Sequence, residues 1–432
     1  MEEGKEFRSI SANRFAVTLT KLLFFLFPIF FFTQKGWTNS ISFLLFLVAC
    51  FYIFRFPRKF LFCRTTRVWV YVLLLALPFF AEFVVQILRM SIQASQLDGP
   101  SRFLMAATVL IFTSKIEDGN FYKYFVSGAV VSIFVTAGYL FIFYLSPYRS
   151  IQLISNWGGR WSTSFVDPLT LPVFLSVFLG LCFSTTFCSK TYSFVGKALK
   201  FLALALVVFI TLRTLSRSAW LPILAMCLMF LYFHSKGSSL RFIIYSLLLF
   251  SVTLIFGFAN DVISSRTQEV FLGFRNFLSG EGVDSTSIRL QLVLLDAYLI
   301  FKNPFLGWPD GVLPPLAVVR ETIPSISDLT YSMKMLAGSH MELLAQLVRN
   351  GVVFGGLKFF CIFLCPLILF INQARRFPDM YPSSRVQAPI YFSVCLLFSG
   401  LTLQILNLKM TSTFIAFGLT VFFSNVMFEK KR

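Results

Sequence analysis

Apolar residues in this chain come in long, nearly unbroken runs instead of the i, i+3, i+4 spacing of a surface helix. The runs fall at 15–33, 40–54, 68–88, 103–114, 122–145, 165–187, 198–212, 219–233, 240–258, 343–371, 388–407 and 411–428, of which 103–114 is the shortest. About twelve segments thus approach the roughly 20 residues a helix needs to cross about 30 Å of hydrocarbon. The pattern predicts an all-α polytopic membrane protein, with residues 1–432 forming one membrane-embedded unit. A polar segment, 259–341, separates the ninth run from the tenth. Within it, Ser285 to Phe301 regains helical patterning. Ile288, Leu292, Leu295 and Leu299 form an apolar stripe, Arg289 and Asp296 fall on another face, Asp284 or Ser285 can cap the start, and "KNP" ends it. This predicts an amphipathic helix resting on the outer surface of the membrane domain, not a span.

Composition agrees. With 57% hydrophobic residues and 57 Phe in 432 positions, the chain carries more apolar surface than a soluble core can absorb. The net charge of +19 would point a soluble domain toward nucleic acid. In a membrane chain it points instead to anionic lipid and to the positive-inside rule, so membrane lipids are expected partners and nucleic acid is not. Basic residues cluster in alternate connections: Arg55, Arg58, Lys59, Arg64 and Arg67; Lys190, Lys197 and Lys200; Lys236 and Arg241; Arg375, Arg376 and Arg385; and the tail Lys430, Lys431, Arg432. These connections and both termini are therefore expected to be cytoplasmic. The charged start "MEEGKEFRSISANR" followed by a full span argues against a removable signal peptide. Segments 146–163, 213–218 and 259–341 fall on the opposite face. The last holds six basic and eight acidic residues, so the basic excess lies elsewhere.

The chain has no P-loop, no G-x-G-x-x-G, no H-E-x-x-H and no Cys/His metal spacing. The eight cysteines lie mostly inside apolar runs; Cys361 and Cys365, one helical turn apart, read as small core residues. On the outer face there remain one histidine and several arginines. His340, in "GSHMELLAQLVRNG", opens the tenth run, with Ser339 as a possible cap. Arg217, in "TLSRSAW", occupies the turn after the seventh run, with Arg213 four residues before it and no acid nearby in sequence. Arg160 lies in "NWGGRWSTSFVDP", and Arg289 begins the amphipathic segment. Taken singly, each has a plain reading: a helix-capping histidine, an arginine snorkelling to lipid phosphate, a solvated charge. His234, among cytoplasmic lysines, reads as an interfacial residue. Taken together, one titratable base and three or four arginines without metal ligands are suited to a reaction on a lipid-linked phosphate, arginines holding the leaving group and the base activating a hydroxyl.

Four stretches, "GGRWSTSFVDPLTLPVFL", "TLSRSAWLPILAM", "DSTSIRLQLVLLDAYLIFKNPFLGWPDG" and "GSHMELLAQLVRNGVVFGG", resemble the O-antigen ligase/polymerase family of bacterial envelope glycosyltransferases. About twelve spans with a long, partly helical periplasmic segment between the ninth and tenth also resemble the ligase architecture, that of the membrane-embedded class C-like glycosyltransferases. The resemblance maps the family's functional set onto Arg217, Arg289 and His340. It implies an inverting, metal-independent transferase in the bacterial inner membrane that needs no cofactor, with its site on the periplasmic side. The implied donor is a glycan on undecaprenyl diphosphate, and the implied acceptor a lipid A–core sugar. A polymerase joining undecaprenyl-linked repeats shares the motifs. Met341 and the pair Arg349–Asn350 depart from the residues many members carry there. A transporter with arginines along an anion path is a reading of another class, but the chain has no evident internal repeat.

The topology predicts that cysteines introduced at Ser279 and Ser384 behave oppositely. A membrane-impermeant thiol reagent added to intact cells labels Ser279→Cys and spares Ser384→Cys, with the parent chain as background; the reverse pattern inverts the topology.

Overall fold

The computed structural model describes residues 14–61, 66–116, 120–145, 160–186, 194–235, 238–259, 261–279, 284–376 and 383–427. The expectations for residues 1–13, Arg64, Lys190, Lys236 and 428–432 lie outside these, as do the side chains of Lys59, Arg67 and His234. The structure is all-helical, with no strand among the described residues. In chain order the helices are α1 Arg14–Ile29, α2 Trp37–Arg55, α3 Pro57–Leu61, α4 Thr66–Leu88, α5 Ala94–Thr113, α6 Phe121–Leu145, α7 Thr170–Thr186, α8 Phe194–Arg213, α9 Trp220–His234 and α10 Ser239–Ala259. There follow α11 Asp261–Ser279, α12 Ser285–Lys302, α13 Leu316–Thr322, α14 Asp328–Ala337, α15 Glu342–Phe359, a π-helical turn Phe360–Leu364, α16 Cys365–Arg376, α17 Ser384–Gly400 and α18 Lys409–Met427.

Among the described residues each of the twelve apolar runs coincides for most of its length with helix, the tenth with α15, the π-helical turn and α16 together. Five described helical stretches are long and apolar enough to cross a membrane: Trp37–Arg55, Val68–Leu88, Phe121–Tyr144, Phe194–Arg213 and Glu342–Arg376. Shorter apolar helices lie at Thr170–Ser184, Trp220–Phe233 and Ser239–Leu248. The chain is a helical, multi-pass membrane protein.

The phenylalanine content builds the core. The Phe414 ring of α18 has six others around it, Phe27, Phe31, Phe125, Phe174, Phe178 and Phe392, with centroids 4.8–6.0 Å away. Tilted and edge contacts dominate, as ring quadrupoles prefer. They join α1, α6, α7, α17 and α18 at one point. A second, smaller cluster, Leu295, Tyr298, Leu299, Val319, Ile326 and Val348, ties the long polar segment to α15.

Alternate connections meet at one end of the bundle. Thr413 Oγ1 donates to Asn39 Oδ1 at 2.8 Å, and Lys409 pairs with Asp98. Arg160 Nε donates to the Thr214 carbonyl at 2.9 Å, and Thr402 Oγ1 donates to the Ser218 carbonyl at 2.9 Å. The Leu406 amide donates to Glu342 at 2.8 Å. Arg89, after α4, donates to the carbonyls of Leu306 and Arg349. This end holds the long segment and every candidate site residue.

Three expectations are corrected. Helix α12 forms as expected, with the Asp284 carboxylate accepting from the amides of Thr286 and Ser287 at 2.9 and 3.0 Å. It does not lie open on a surface, however: it packs on α11, α14 and α15. Asp296, expected on a polar face, is 1% exposed, because it is paired with Lys334. Ser339 does not cap α15. The N-cap position is Met341, with no side-chain cap, and Ser339 Oγ accepts from Lys334.

The tenth run is also not a smooth helix. Gly351 sits at φ +71°, ψ 174°, so α15 is two helical pieces joined at a break. The segment 304–308 crosses that break closely. Val352 N donates to the Pro304 carbonyl and Trp308 N to the Val348 carbonyl, both at 2.7 Å. A Cβ on Gly351 would collide with the Phe305 carbonyl, and one on Gly307 (φ +67°) with that of Val348. Further along, Pro366 lies two residues past the π turn, and its missing N–H and bulky ring disfavour an ordinary α turn there.

Below the break, the Glu82 carboxylate of α4 pairs with Lys358 of α15. Asn350 Nδ2 donates to the same carboxylate at 3.1 Å. Both charges are buried inside candidate spans, 0% and 2% exposed as side chains. Removing one partner of such a pair typically costs about 3–5 kcal/mol, whereas apolar replacement of both is often neutral. Glu82→Ala and Lys358→Ala should therefore melt well below the parent in detergent, while the double Glu82→Leu/Lys358→Met recovers most of the loss. Single variants that melt with the parent would show that the pair carries no stability.

Candidate active site

The turn that carries Arg217 is fixed by small hydroxyls. Ser216 Oγ and Ser218 Oγ share a hydrogen bond of 2.7 Å, and Ser218 Oγ donates to the Leu169 carbonyl at 3.0 Å. Thr214 Oγ1 donates to the Thr211 carbonyl at 2.7 Å, closing the end of α8. Leu215 takes a left-handed conformation, φ 53°, which costs a branched side chain energy and persists only where the surroundings impose it. The "SRSAW" sequence thus makes a rigid turn with a long cation on it.

Arg160 reaches that turn through its bond to Thr214. Its neighbour Trp161 stacks on Tyr144 at 5.0 Å and 14°, and Tyr144 Oη accepts from the Ser162 amide at 2.9 Å. Arg213 faces elsewhere: its guanidinium lies over the rings of Trp161 and Phe209, 5.9 and 5.4 Å from their centroids. Cation–π contact of this kind seats an exposed arginine against an aromatic wall.

Arg289 stands in the first turns of α12, which its Asp284 cap and two further attachments position. Gln291 Oε1 accepts from Ser327 N (3.1 Å), Ser327 Oγ (3.0 Å) and Thr330 Oγ1 (2.6 Å), tying α12 to the start of α14. One turn on, Asp296 pairs with Lys334 of α14, and Lys334 also donates to Ser339. The chain then passes through Gly338, Ser339 and His340 into α15.

The electrostatics show which groups share the space. Burial, and then the like charges of Arg217 and Arg160, push the Arg289 guanidinium below its usual value. Burial, and then the charges of Arg289 and Lys334, push the His340 imidazole down to about 4. Arg160, Arg217, Arg289 and His340, scattered over 181 positions of sequence, are thus within electrostatic reach of one another in a chain Arg160/Arg217–Arg289–His340. Arg213 does not act on Arg289. Neither Arg289 nor His340 has a hydrogen-bond partner among the described residues.

Such a grouping of half-buried cations favours an anion, and guanidinium forks favour one with several oxygens, such as a diphosphate. A neutral imidazole beside it is in the form that accepts a proton. Among the described residues no three His, Cys, Asp or Glu side chains gather closely enough to hold a metal ion.

The sequence reading did not find the Lys334–Asp296–Ser339 trio that adjoins His340. Lys334 and Asp296 are 38 residues apart and belong to different helices, so no local spacing announces them. Nor did it find that Arg349 would be held by Asp310, at 2.9 Å through Nε. Neither a family model nor any curated protein matches the chain.

If the three arginines form one anion site, inorganic pyrophosphate should bind the solubilised protein measurably by calorimetry. Arg217→Ala and Arg289→Ala should each weaken it at least about tenfold, the effect of losing roughly 1.4 kcal/mol. Lysine should fail nearly as badly, since it offers only a point charge. Full binding with lysine at both positions identifies them as generic lipid anchors.

Proposed function

We propose that this chain is a membrane glycosyltransferase of the O-antigen ligase type. Its donor is a polysaccharide on undecaprenyl diphosphate, and its acceptor a sugar hydroxyl of lipid A–core. In this reading it sits in the bacterial inner membrane with both termini cytoplasmic and 259–341 periplasmic, so the end of the bundle that holds His340 faces the periplasm. The observation that carries the reading is the grouping of Arg217, Arg160 and Arg289 next to a neutral His340. The quoted sequence resemblance supports it, since the three residues it singles out, Arg217, Arg289 and His340, belong to that group.

The reaction proceeds by displacement. The acceptor hydroxyl oxygen attacks the anomeric carbon of the donor glycan and loses its proton to an imidazole nitrogen of His340. The bond from the anomeric carbon to the diphosphate oxygen breaks, and that oxygen keeps the electron pair. Arg217, Arg289 and Arg160 receive the developing charge, as preorganised donors do at a leaving group. Attack from the opposite side inverts the anomeric centre.

Burial, Arg289 and Lys334 set the strength of the base. In the free protein burial and this positive field hold His340 at about 4, neutral but weak. A bound diphosphate supplies negative charge next to Arg289, cancels part of that field and raises the imidazole toward its ordinary value near 6.5.

A deletion strain tests the activity: ligated polymer is lost from lipopolysaccharide while lipid-linked polymer accumulates. A band of core plus a single repeat would mean a polymerase instead. The pH dependence tests the base. A group with a lowered pKa loses its neutral form only as pH falls through that value, so kcat/KM for the donor should stay level down to about pH 5 and drop through about 4. The limb in kcat, which reports the donor-bound enzyme, should lie at higher pH. His340→Ala should lose about 10²–10⁴-fold in kcat while still binding undecaprenyl diphosphate. If His340→Asn keeps most of the activity, the histidine has a structural role only.

A further inference from the structure

A second feature adjoins His340 and takes no part in the scheme above. A cleft of about 190 Å³ opens between the 308–313 loop, the end of α14, the first turns of α15 and the 404–407 segment. Its walls include Gly338 and Ser339, the two residues immediately before His340. The cleft and the arginine group therefore share one short stretch of backbone.

The cleft is polar but has little free charge. Its two cations are each held by an acid: Lys334 by Asp296, and Arg349 by Asp310. An anion has no loose cation to bind there. What is open is a pair of side-chain amides: Gln404, whose Oε1 lies over Gly338, and Asn407. Neither amide has a hydrogen-bond partner among the described residues. Each offers both donors and an acceptor. The apolar lining is Trp308, whose Nε1 donates to the Leu299 carbonyl at 2.9 Å, with Leu313, Leu336 and Val348. Neutral amides facing an aromatic and aliphatic wall match a ligand with hydroxyls on its rim and C–H bonds on its face. The volume lies below the roughly 300–1,000 Å³ of pockets that take drug-sized molecules, so it suits a single ring.

We infer that this cleft is a pyranose subsite that seats the terminal sugar of the acceptor, with Gln404, Asn407 and Trp308 as its binding residues. The assignment rests on the glycosyl-transfer reading for its role, though not for its chemistry. A sugar held against Gly338–Ser339 lies beside the backbone that leads into His340, while the diphosphate is held by the arginine group. Specificity for the acceptor then resides in 308–313 and 404–407, apart from the residues that hold the donor.

The test uses the full-length protein in nanodiscs. The probes are lipid-free lipopolysaccharide core oligosaccharide and two simple sugars, methyl α-glucopyranoside and methyl β-galactopyranoside. Saturation-transfer NMR from protein to sugar should light up ring protons of at least one probe, in the parent and equally in His340→Ala. The double variant Gln404→Ala/Asn407→Ala, altered at half-buried and exposed positions, should lose the signal. In transfer assays it should raise KM for the acceptor at least about tenfold and leave kcat and the donor KM unchanged. Absence of saturation transfer to every probe in the parent overturns the subsite, as does undiminished transfer in the double variant or a rise in donor KM alone. Sugar binding that depends on Gln404 and Asn407 in a protein with no transferase activity upholds the subsite and overturns the glycosyl-transfer reading.

Discussion

The backbone of 304–308 lies directly on the backbone of α15 where Gly351 interrupts it, and most of the outer end is arranged around that contact. At a helix break, amides and carbonyls lose their partners in the i→i−4 ladder. In a membrane protein such groups must find others, because hydrocarbon offers none. Here the long segment provides them. The Pro304 carbonyl accepts from Val352, and the Val348 carbonyl accepts from Trp308. Arg89 bonds the carbonyls of Arg349 and Leu306 and so clamps both strands of the contact from a third element. The two glycines allow the approach, since a side-chain carbon at either would strike a carbonyl. Fixing 304–308 fixes the end of α12 and, through it, the face on which Arg289 stands; fixing the upper piece of α15 fixes where the chain enters from His340.

The positive field at the site follows from how the acids are distributed. In the long segment Asp296 is paired with Lys334, Asp310 with Arg349 and Asp328 with Arg320. Deeper, Glu82 holds Lys358. These acids are engaged by other cations, Asp284 accepts from the amides at the start of α12, and the charges that act on Arg289 are those of Arg217 and Arg160. Like charges held together partly out of water are unfavourable, and the scaffold sustains the cost because each arginine sits on a separately anchored element. Arg217 rides on a hydroxyl-stapled turn, Arg160 on a loop stacked against Tyr144, and Arg289 on a capped helix. A polyanion entering this field releases the repulsion instead of having to create a site.

The sequence carried the local features well. Helix α12 and its Asp284 cap were legible because a cap and a 3.6-residue stripe are both short-range signals. The apolar runs located helices for the same reason. Their number as crossings was not legible, because run length measures hydropathy and not depth. What was hidden is what depends on distant partners. "RNGVVFGG" reads as continuous helix; only the loop pressed against it reveals a break at Gly351. Asp296 reads as solvated until Lys334, on another helix, is seen to meet it. Arg213 and Arg217 look equivalent in sequence, one turn apart, yet Trp161 and Phe209 draw the first away and the second remains with Arg289. Glu82 and Lys358, 276 residues apart, belong to the same class of hidden pair.

His340 lacks the support that a catalytic histidine most often has. In a triad a carboxylate bonds the far ring nitrogen, fixes the tautomer and strengthens the base. Of the buried carboxylates in this region, Asp296 is taken by Lys334 and Glu342 accepts from Gln346 and the Leu406 amide, and the charges that act on His340 are both positive. Left alone, such an imidazole is a poor proton acceptor. As the base of the proposed reaction it needs negative charge that arrives with the substrate, and an anion bound at Arg289 would bring it. Donor binding and base strength then become a single event. In that proposed reaction the histidine is weaker while the arginines are empty, so water meets an unactivated site, and it gains strength when a leaving group is held in place. Replacing the Lys334–Asp296 pair with an Asp–His contact would give a stronger base at all times, but under the proposed mechanism it would remove the dependence on the donor that keeps an acceptor hydroxyl from being activated too early.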